Sequence, residues 1–171
     1  SEIAHGREVA VYLSDGRFVT LMEATAVPEL TAASNWRALA EFVCRNFVEG
    51  KSALLIDIGS TTTDIIPIDS GHVAAIGRND TERLLNSELV YTGVGRTPVC
   101  ALVKSLPYRN VSCPVAAELF STTADAHLVL RKIPEDPTAT WTADGRPLVL
   151  ACARQRLARQ IGGDASDFTD D

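Results

Sequence analysis

Between Gly50 and Pro67 the chain reads Lys51-Ser52-Ala53-Leu54-Leu55-Ile56-Asp57-Ile58-Gly59-Ser60-Thr61-Thr62-Thr63-Asp64-Ile65-Ile66. The apolar run that ends at Asp57 is short and lies between two glycines, which is typical of a buried β-strand. Residues 63–68 predict the return strand, and residues 73–76 predict a third strand after a turn at Gly71. The segment therefore predicts a strand–turn–strand unit within an α/β fold.

The predicted turn carries a carboxylate, a glycine and a row of hydroxyl side chains. The strand brings Asp57 to its carboxyl end, and Gly59 lets the backbone turn sharply and approach a ligand closely. The hydroxyl residues are Ser60, Thr61, Thr62 and Thr63. Such a turn can present backbone N–H groups and hydroxyls to a phosphate. Because Asp57 would repel a bare phosphate, we expect it to hold Mg²⁺ through water, with Asp64 as a second metal carboxylate or as a cap of the turn.

A plain hairpin is the alternative explanation for this stretch, because threonine has a high propensity for β-strands. That alternative accounts well for Thr62 and Thr63. It accounts less well for a carboxylate at a strand end beside a glycine and four consecutive hydroxyls. A phosphate-binding turn is therefore the preferred interpretation.

Two further groups of residues suggest chemistry. Residues 114–131 read as one long helix, and Glu118 and Asp125 would share one face of it, as paired carboxylates that bind a metal or act as acid and base. A solvated polar face explains the same pattern equally well.

Arg96 follows Gly93 and Gly95 just before a predicted helix over residues 99–106, where arginine and a helix N-terminus attract phosphate. Arg96 pairing with a carboxylate is the alternative.

The rest of the chain predicts flanking elements. We expect a hairpin over residues 8–22, helices over residues 31–48, 80–85 and 148–160, and a loop over residues 133–147. The last helix would carry Arg154, Arg156 and Arg159 on its polar side. Residues 1–161 read as one domain, and residues 162–171 read as an acidic flexible tail.

Composition limits the classes of function. Hydrophobic residues make up 46% and charged residues 22% of the 171 residues, which suits a globular domain with a real core. The net charge of −6 argues against nucleic acid and anionic membranes as partners. Four widely spaced cysteines without a paired motif predict free thiols, and with no secretion signal at Ser1 they indicate a cytoplasmic protein.

Several motifs together resemble the hydantoinase A/oxoprolinase superfamily, in the branch of tetrahydromethanopterin-linked one-carbon transfer pathway proteins. The first is the segment from Leu54 to Ile68. The others are Asn35-Trp36-Arg37-Ala38-Leu39-Ala40, Glu88-Leu89-Val90-Tyr91-Thr92-Gly93-Val94, Arg96-Thr97-Pro98-Val99-Cys100-Ala101-Leu102, Ala117-Glu118-Leu119-Phe120, Thr142-Ala143-Asp144-Gly145-Arg146-Pro147 and Arg156-Leu157-Ala158-Arg159.

The resemblance implies a fold and a reaction. The fold is an actin-like ATPase (ribonuclease H-like) lobe with a mixed sheet and flanking helices, to which this chain supplies one phosphate loop. The reaction is a transfer in methanofuran biosynthesis that joins an aminomethylfuran diphosphate to γ-glutamyltyramine and releases diphosphate. An ATP-dependent hydrolase and a non-catalytic remnant are the alternatives. Relatives outside the branch have Gly-Gly where this chain has Gly59-Ser60, which weakens the case for ATP hydrolysis.

The resemblance also implies ligands and partners. Mg²⁺ is the expected cofactor, with ATP left open as a second ligand, and a phosphorylated small molecule is the expected substrate. Members of the branch are longer and begin with another aspartate–glycine loop. We therefore expect this chain to be part of a longer protein, completed by an N-terminal lobe or by a second copy of the chain.

Overall fold

The computed structural model describes residues 8–32 and 34–168. The chain divides into two compact units. The first comprises Ser1–Asp57 and Thr63–Val90, and the second comprises Ile58–Thr62 and Tyr91–Asp171. The five residues Ile58–Thr62 at the predicted phosphate turn thus belong to the unit formed mainly by the second half of the chain, although in sequence they lie between two segments of the first unit.

The elements follow the chain in this order. The first unit contains β1 (Ala10–Tyr12), β2 (Phe18–Thr20), α1 (Leu21–Ala26), α2 (Pro28–Thr31), α3 (Asn35–Val43), a π-helical turn (Cys44–Val48), β3 (Ala53–Ile58, whose last residue belongs to the second unit), β4 (Thr63–Asp69), β5 (His72–Val73), α4 (Asp80–Leu85) and β6 (Leu89–Val90). The second contains α5 (Val99–Leu102), β7 (Ser105–Tyr108), β8 (Val111–Pro114), α6 (Thr123–Val129), α7 (Leu150–Arg159) and a 3₁₀ turn (Ala165–Asp167). None of the helices in the described residues is long and apolar enough to cross a lipid bilayer.

The first unit is built around β4. This strand pairs with β3, and β5 and β6 pair antiparallel with its two ends. Helix α3 covers one face of the sheet, where Trp36 and Ala40 pack on Ile66. The guanidinium of Arg83 stacks on the Trp36 ring, 4.0 Å from its centroid. The predicted strand–turn–strand unit and the α/β class are confirmed.

The predicted burial of β3 is only partly right. Leu55 packs into the core beneath α3, as expected. The side chains of Leu54 and Ile56, which point to the opposite face, are 57% and 53% exposed. Among the described residues, α3 covers the face of β3 that carries Leu55. The continuous apolar run of this strand therefore does not indicate that both of its faces are buried.

Several predicted boundaries in the first unit need correction. The hairpin over residues 8–22 forms as β1 and β2, but α1 begins at Leu21 because Thr20 and Glu23 make a capping box. The helix predicted over residues 31–48 is α3 with its π-helical turn, and residue 33 of that range lies outside the described residues. The third strand is shorter than predicted and ends at Val73.

The second unit packs α6 against α7. Its apolar core is formed by Ala124, Leu128, Ala139, Leu148 and Ala153. The strands β7 and β8 form a separate antiparallel hairpin. The last predicted helix is confirmed as α7, but Arg156 is fully buried rather than part of a polar surface.

The long helix predicted over residues 114–131 is wrong. Pro114 ends β8, and α6 begins only after Thr122, whose side chain forms a capping box with Asp125. Between them the backbone is tied to α7, since Ala116 N donates to Gln160 O at 2.7 Å. The helix predicted over residues 99–106 is likewise only α5, and β7 follows it.

The remaining expectations concern the tail and the thiols. Residues 164–168 of the predicted tail form a capped 3₁₀ turn, and the Phe168 ring lies 5.5 Å from that of Tyr108. Residues 169–171 lie outside the described residues.

All four cysteines are free thiols, with Cys44 buried. Burial raises the pKa of the Cys44 thiol, which keeps that thiol protonated.

Candidate functional site: a phosphate-type turn

The turn at residues 59–62 is closed by its own backbone and held from one side by residues 93–96. Gly59 N donates to Thr62 O at 2.8 Å. The carbonyl oxygen of Gly59 accepts from Val94 N at 3.0 Å. The carbonyl oxygen of Ser60 accepts from both Gly95 N at 3.1 Å and Arg96 N at 2.7 Å. The predicted turn therefore exists, and it has a fixed backbone conformation.

These hydrogen bonds determine where the donors of the turn point. In a planar trans peptide the C=O of one residue and the N–H of the next point in opposite directions. Because the carbonyls of Gly59 and Ser60 both face residues 94–96, the N–H groups of Ser60 and Thr61 both point away from that segment. Two successive N–H groups on one side of a turn form a concave site for an anion.

Arg96 adds a positive charge beside these donors. Its Nη2 donates to Ser60 Oγ at 3.1 Å, and both side chains are exposed. The hydroxyls of Ser60 and Thr61 lie 3.5 Å apart. The structure thus brings together Gly59, Ser60, Thr61, Thr62 and Arg96, five of the residues that the sequence proposed for phosphate. Thr63 belongs to β4 in the first unit.

Gly93 lets the supporting segment approach this closely. A Cβ atom at Gly93 would lie 2.5 Å from Gly59 O and 2.6 Å from both Ser60 C and Thr61 N. All three are backbone atoms, so no side-chain rotation relieves the clash. Gly93 is therefore needed for close packing of the supporting segment against the turn.

The supporting segment is in turn fixed by α6. Thr123 Oγ1 donates to Gly93 O at 2.9 Å, Ala124 N donates to Gly95 O at 3.2 Å, and Thr123 N donates to Thr97 O at 2.9 Å. A ring nitrogen of His127 contacts Val94 O at 2.9 Å. Each layer is therefore bound to the next, from the turn through residues 93–97 to α6.

A buried arginine anchors α6 at its N-terminus. Arg156 of α7 donates from Nε and Nη2 to Asp125 Oδ1 at 2.9 and 2.7 Å. Its Nη1 donates to Asp144 Oδ1 at 2.9 Å. Burial alone would raise the pKa of Asp144, but hydrogen bonds from Arg146 and Arg156 outweigh it and hold that pKa below its ordinary value.

Asp57 lies at the end of β3 in the first unit, and its carboxylate is half-buried. Among the described residues it makes no hydrogen bond or ion pair with another side chain. A carboxylate in that state is available to bind a cation. Asp64, in contrast, accepts from Arg83 Nη1 at 2.7 Å, and the Arg83 side chain is only 1% exposed. Asp64 thus has a structural partner in Arg83, whereas the sequence predicted a second metal carboxylate or a cap of the turn.

The proposed acid–base pair is not brought together on one helix face. Glu118 lies in the loop before α6 and is exposed, where it accepts from Leu119 N at 3.2 Å. Asp125 is fully buried and is bound to Arg156 and to Thr122 N. The pattern at i and i+7 assumed one continuous helix, and that helix does not form.

The donor chemistry of the turn fits an anion, and the fit of Mg²⁺ depends on the carboxylates that the described residues offer. No group of three or more metal-ligating side chains is present in the part of the chain that the structure describes. Mg²⁺ is commonly held by one or two carboxylates and by the phosphate oxygens of a substrate, with water filling the other positions. A single carboxylate, Asp57, fits that mode, whereas a site made wholly of protein ligands does not.

Sequence reasoning missed three supporting residues. Thr123 and Arg156 act through contacts between segments far apart in the chain, and no local pattern reveals such contacts. Thr97 donates to Gly93 O and accepts from Gly93 N within one tight turn. A threonine four residues after a glycine was the one local signal that could have suggested it.

Comparison with known proteins places the chain in a family. The Hydantoinase/oxoprolinase family model matches residues 2–168. A Methanocaldococcus jannaschii protein named (4-{4-[2-(gamma-L-glutamylamino)ethyl]phenoxymethyl}furan-2-yl)methanamine synthase is 39% identical over 170 residues, which cover 99% of this chain and 51% of that protein. A Methanococcus vannielii protein of the same name is 39% identical over 132 residues, which cover 77% of this chain and 58% of that protein.

The chain thus spans about half the length of the curated relatives it matches. The family match extends over nearly the whole chain, and it includes the turn, the supporting segment and helices α5, α6 and α7 of the second unit. The chain belongs to the hydantoinase/oxoprolinase family.

Proposed function

We propose that this chain forms one phosphate-binding lobe of a transferase that makes an aryl ether in methanofuran biosynthesis, with diphosphate as the leaving group. The observation that carries the proposal is the turn at residues 59–62, whose successive N–H groups point the same way beside Arg96. The family and the names of two relatives indicate which chemistry such a turn would serve.

The product in the relatives' names explains why diphosphate binding would matter. That product contains a phenoxymethyl group on a furan, which is an ether between a phenol oxygen and a methylene carbon. In the proposed reaction the phenol oxygen attacks the methylene carbon of a furan-methyl diphosphate. The bond from that carbon to the diphosphate oxygen breaks, diphosphate leaves with the electron pair, and the phenol proton passes to a base or to water.

The described residues would act on the leaving group. Negative charge grows on the bridging oxygen as the bond breaks, and fixed donors stabilise that charge without reorganising. The N–H groups of Ser60 and Thr61, the Ser60 and Thr61 hydroxyls and Arg96 would bind and orient the diphosphate. Asp57 would hold Mg²⁺, which when bound neutralises charge on the phosphate oxygens.

Within this proposal the chain is part of an actin-like (ribonuclease H-like) lobe. The support is a sheet of paired strands with a phosphate-type turn after its first long strand, together with the family match. One turn contacts only part of a diphosphate. The remaining contacts would come from a further lobe, in keeping with relatives about twice as long as the matched segment.

An ATP-dependent hydrolase is the second candidate, because the family name includes hydantoinase and oxoprolinase. The same turn would then bind the phosphates of ATP. Titration with pyrophosphate and with a non-hydrolysable ATP analogue separates the two candidates. Tighter binding of the nucleotide by more than about tenfold would favour the hydrolase.

We expect Asp57→Asn to remove the gain in pyrophosphate affinity that Mg²⁺ provides, by about tenfold or more. The amide keeps the shape of the side chain but removes its charge, so Mg²⁺ loses its protein ligand. The measurement is isothermal titration of the 171-residue chain with pyrophosphate, with and without Mg²⁺. The melting temperature should not change, because the Asp57 carboxylate has no partner among the described side chains.

Asp69→Asn is the matched control for this experiment. Asp69 is the last residue of β4, at the end of that strand far from the turn. Its carboxylate accepts a hydrogen bond from Ser52 Oγ. The control variant should keep the full Mg²⁺ effect. If the two variants bind pyrophosphate equally well in Mg²⁺, the assignment of Asp57 as the metal carboxylate fails.

The 171-residue chain alone should form no measurable ether product. A turn with one exposed side orients a diphosphate poorly, and orientation supplies much of the rate of an enzyme. The assay incubates the chain with the aminomethylfuran diphosphate and γ-glutamyltyramine and detects the ether by mass spectrometry. A full-length relative serves as the positive control, and turnover by the short chain at a similar rate would contradict the need for a further lobe.

A further inference from the structure

Trp141 is a large aromatic side chain beside the phosphate-type turn, and it has no part in the apolar core. It is 52% exposed and belongs to none of the core clusters of the described residues. A methyl group at Gly95 would lie 3.6 Å from Trp141 Cη2 and also 3.6 Å from Ser60 Cβ. The indole and the Ser60 side chain therefore flank the same point of the supporting segment, within the second unit.

The loop that carries Trp141 is held in place on its C-terminal side. Thr142 Oγ1 donates to Arg146 O at 2.6 Å. Asp144 is bound by Arg156 at 2.9 Å, and the same arginine holds α6. Leu148 N donates to Ala139 O at 3.1 Å across the base of the loop. The loop that carries the indole is thus held by the same arginine that holds α6.

We infer that Trp141 is a specificity-determining residue, which stacks on the planar ring of an aryl-methyl diphosphate whose phosphates occupy the turn. This inference rests on the proposed function. The exposed indole lies next to a polar, anion-binding turn. It provides an apolar face at the place where the organic part of such a ligand would extend from the bound phosphates.

The geometry of the displacement reaction decides whether Trp141 would contact the furan ring or the phenol ring. The attacking phenol must approach the methylene carbon from the side opposite the diphosphate, so it lies far from the turn. The ring that is linked to the diphosphate through a single methylene stays close to it. A residue that neighbours Ser60 would therefore contact the ring of the diphosphate substrate.

The indole N–H resonances provide a direct test. The chain has two tryptophans, and Trp36 lies in the core of the first unit, so it serves as an internal reference. The ¹⁵N-labelled 171-residue chain is titrated in Mg²⁺ with methyl diphosphate and with (furan-2-yl)methyl diphosphate. Both ligands should shift the amides of Ser60 and Thr61. Only the furan ligand should shift the Trp141 indole strongly through its ring current.

Variants of Trp141 test whether the indole causes the expected difference in affinity between the furan ligand and methyl diphosphate. We expect the wild type to bind the furan ligand about two- to tenfold more tightly than methyl diphosphate, as one aromatic stacking contact provides. Trp141→Ala should lose that ratio and keep its affinity for methyl diphosphate, and Trp141→Phe should retain most of the ratio. Phe47→Ala removes another exposed aromatic ring, in the first unit, and should change neither affinity.

The outcomes distinguish this inference from the proposed function. If methyl diphosphate binds at the turn but Trp141→Ala keeps the full preference for the furan ligand, the role of Trp141 is refuted and the phosphate site stands. If the wild type shows no preference, the inference is refuted in the same way. If methyl diphosphate shifts neither Ser60 nor Thr61, the proposed function fails, and the inference fails with it.

Discussion

Gly93→Ala should displace the turn at residues 59–62 and abolish pyrophosphate binding by the 171-residue chain. The added Cβ would lie 2.5 Å from Gly59 O and 2.6 Å from two further backbone atoms. Relief requires the two backbone segments to separate, and this breaks the hydrogen bonds from residues 94–96 to Gly59 and Ser60. Overpacking of this kind costs about 1–3 kcal/mol, and the lost hydrogen bonds add to it. Thermal unfolding and a pyrophosphate titration measure the two effects.

Gly95→Ala is the matched control, two residues along the same segment. A Cβ there would make only ordinary contacts, the nearest at 3.6 Å. This variant should melt close to the wild type and bind pyrophosphate normally. If Gly93→Ala behaves like Gly95→Ala in both measurements, the close approach of the two segments does not support the turn.

The sequence predicted best those features that depend on neighbours in the chain. The strands β3 and β4 and the turn between them were predicted correctly because an apolar run, a glycine and β-branched residues are local signals. Helix α7 was predicted for the same reason. Thr20 and Glu23 also form a local signal, and attention to that capping box would have placed the start of α1 correctly.

Features that depend on distant contacts could not be predicted in this way. The spacing of Glu118 and Asp125 suggested one helix face, but the capping box at Thr122 and the hydrogen bond from Ala116 to Gln160 stop a helix from running through residue 118. Likewise, the apolar run in β3 predicted burial but did not reveal that Leu54 and Ile56 would be exposed among the described residues.

The candidate site shows the same division. The residues of the turn were recognised from their order in the chain, and Arg96 was recognised from its position between glycines and a helix. They are held by contacts between segments that lie far apart in the chain, such as the hydrogen bond from Thr123 to Gly93, which are 30 residues apart. Arg156 was interpreted as a surface residue because it shares the polar side of the predicted helix with Arg154 and Arg159, although it is fully buried.

Arg156→Met should destabilise the second unit by about 3–5 kcal/mol, since it leaves Asp125 buried without its cation. The side chain of Asp125 is 1% exposed, so water cannot replace the lost guanidinium. Arg156→Lys should restore little of the stability, because one ammonium cannot reproduce three hydrogen bonds to two carboxylates. Urea unfolding at neutral pH measures the free energy of unfolding of each variant.

The ion pair with Asp144 adds a dependence on pH with a definite sign. The folded-state pKa of Asp144 is below its ordinary value, so its contribution to stability is present above the ordinary value and is lost as the pH falls through the folded pKa. The wild type should therefore lose part of its advantage over Arg156→Met in acid. Asp144→Asn should show a smaller cost than Arg156→Met, because it leaves the buried pair with Asp125 intact.

Arg159→Met is the control on the same helix. Arg159 is exposed in the last turn of α7, and its replacement should change the free energy of unfolding by no more than about 0.5 kcal/mol. The second test is functional: because Arg156 fixes α6, and α6 fixes residues 93–97, Arg156→Met should also weaken pyrophosphate binding under conditions where the chain is still folded. A folded Arg156→Met variant with unchanged stability and unchanged binding would show that the turn is held independently of α6 and α7.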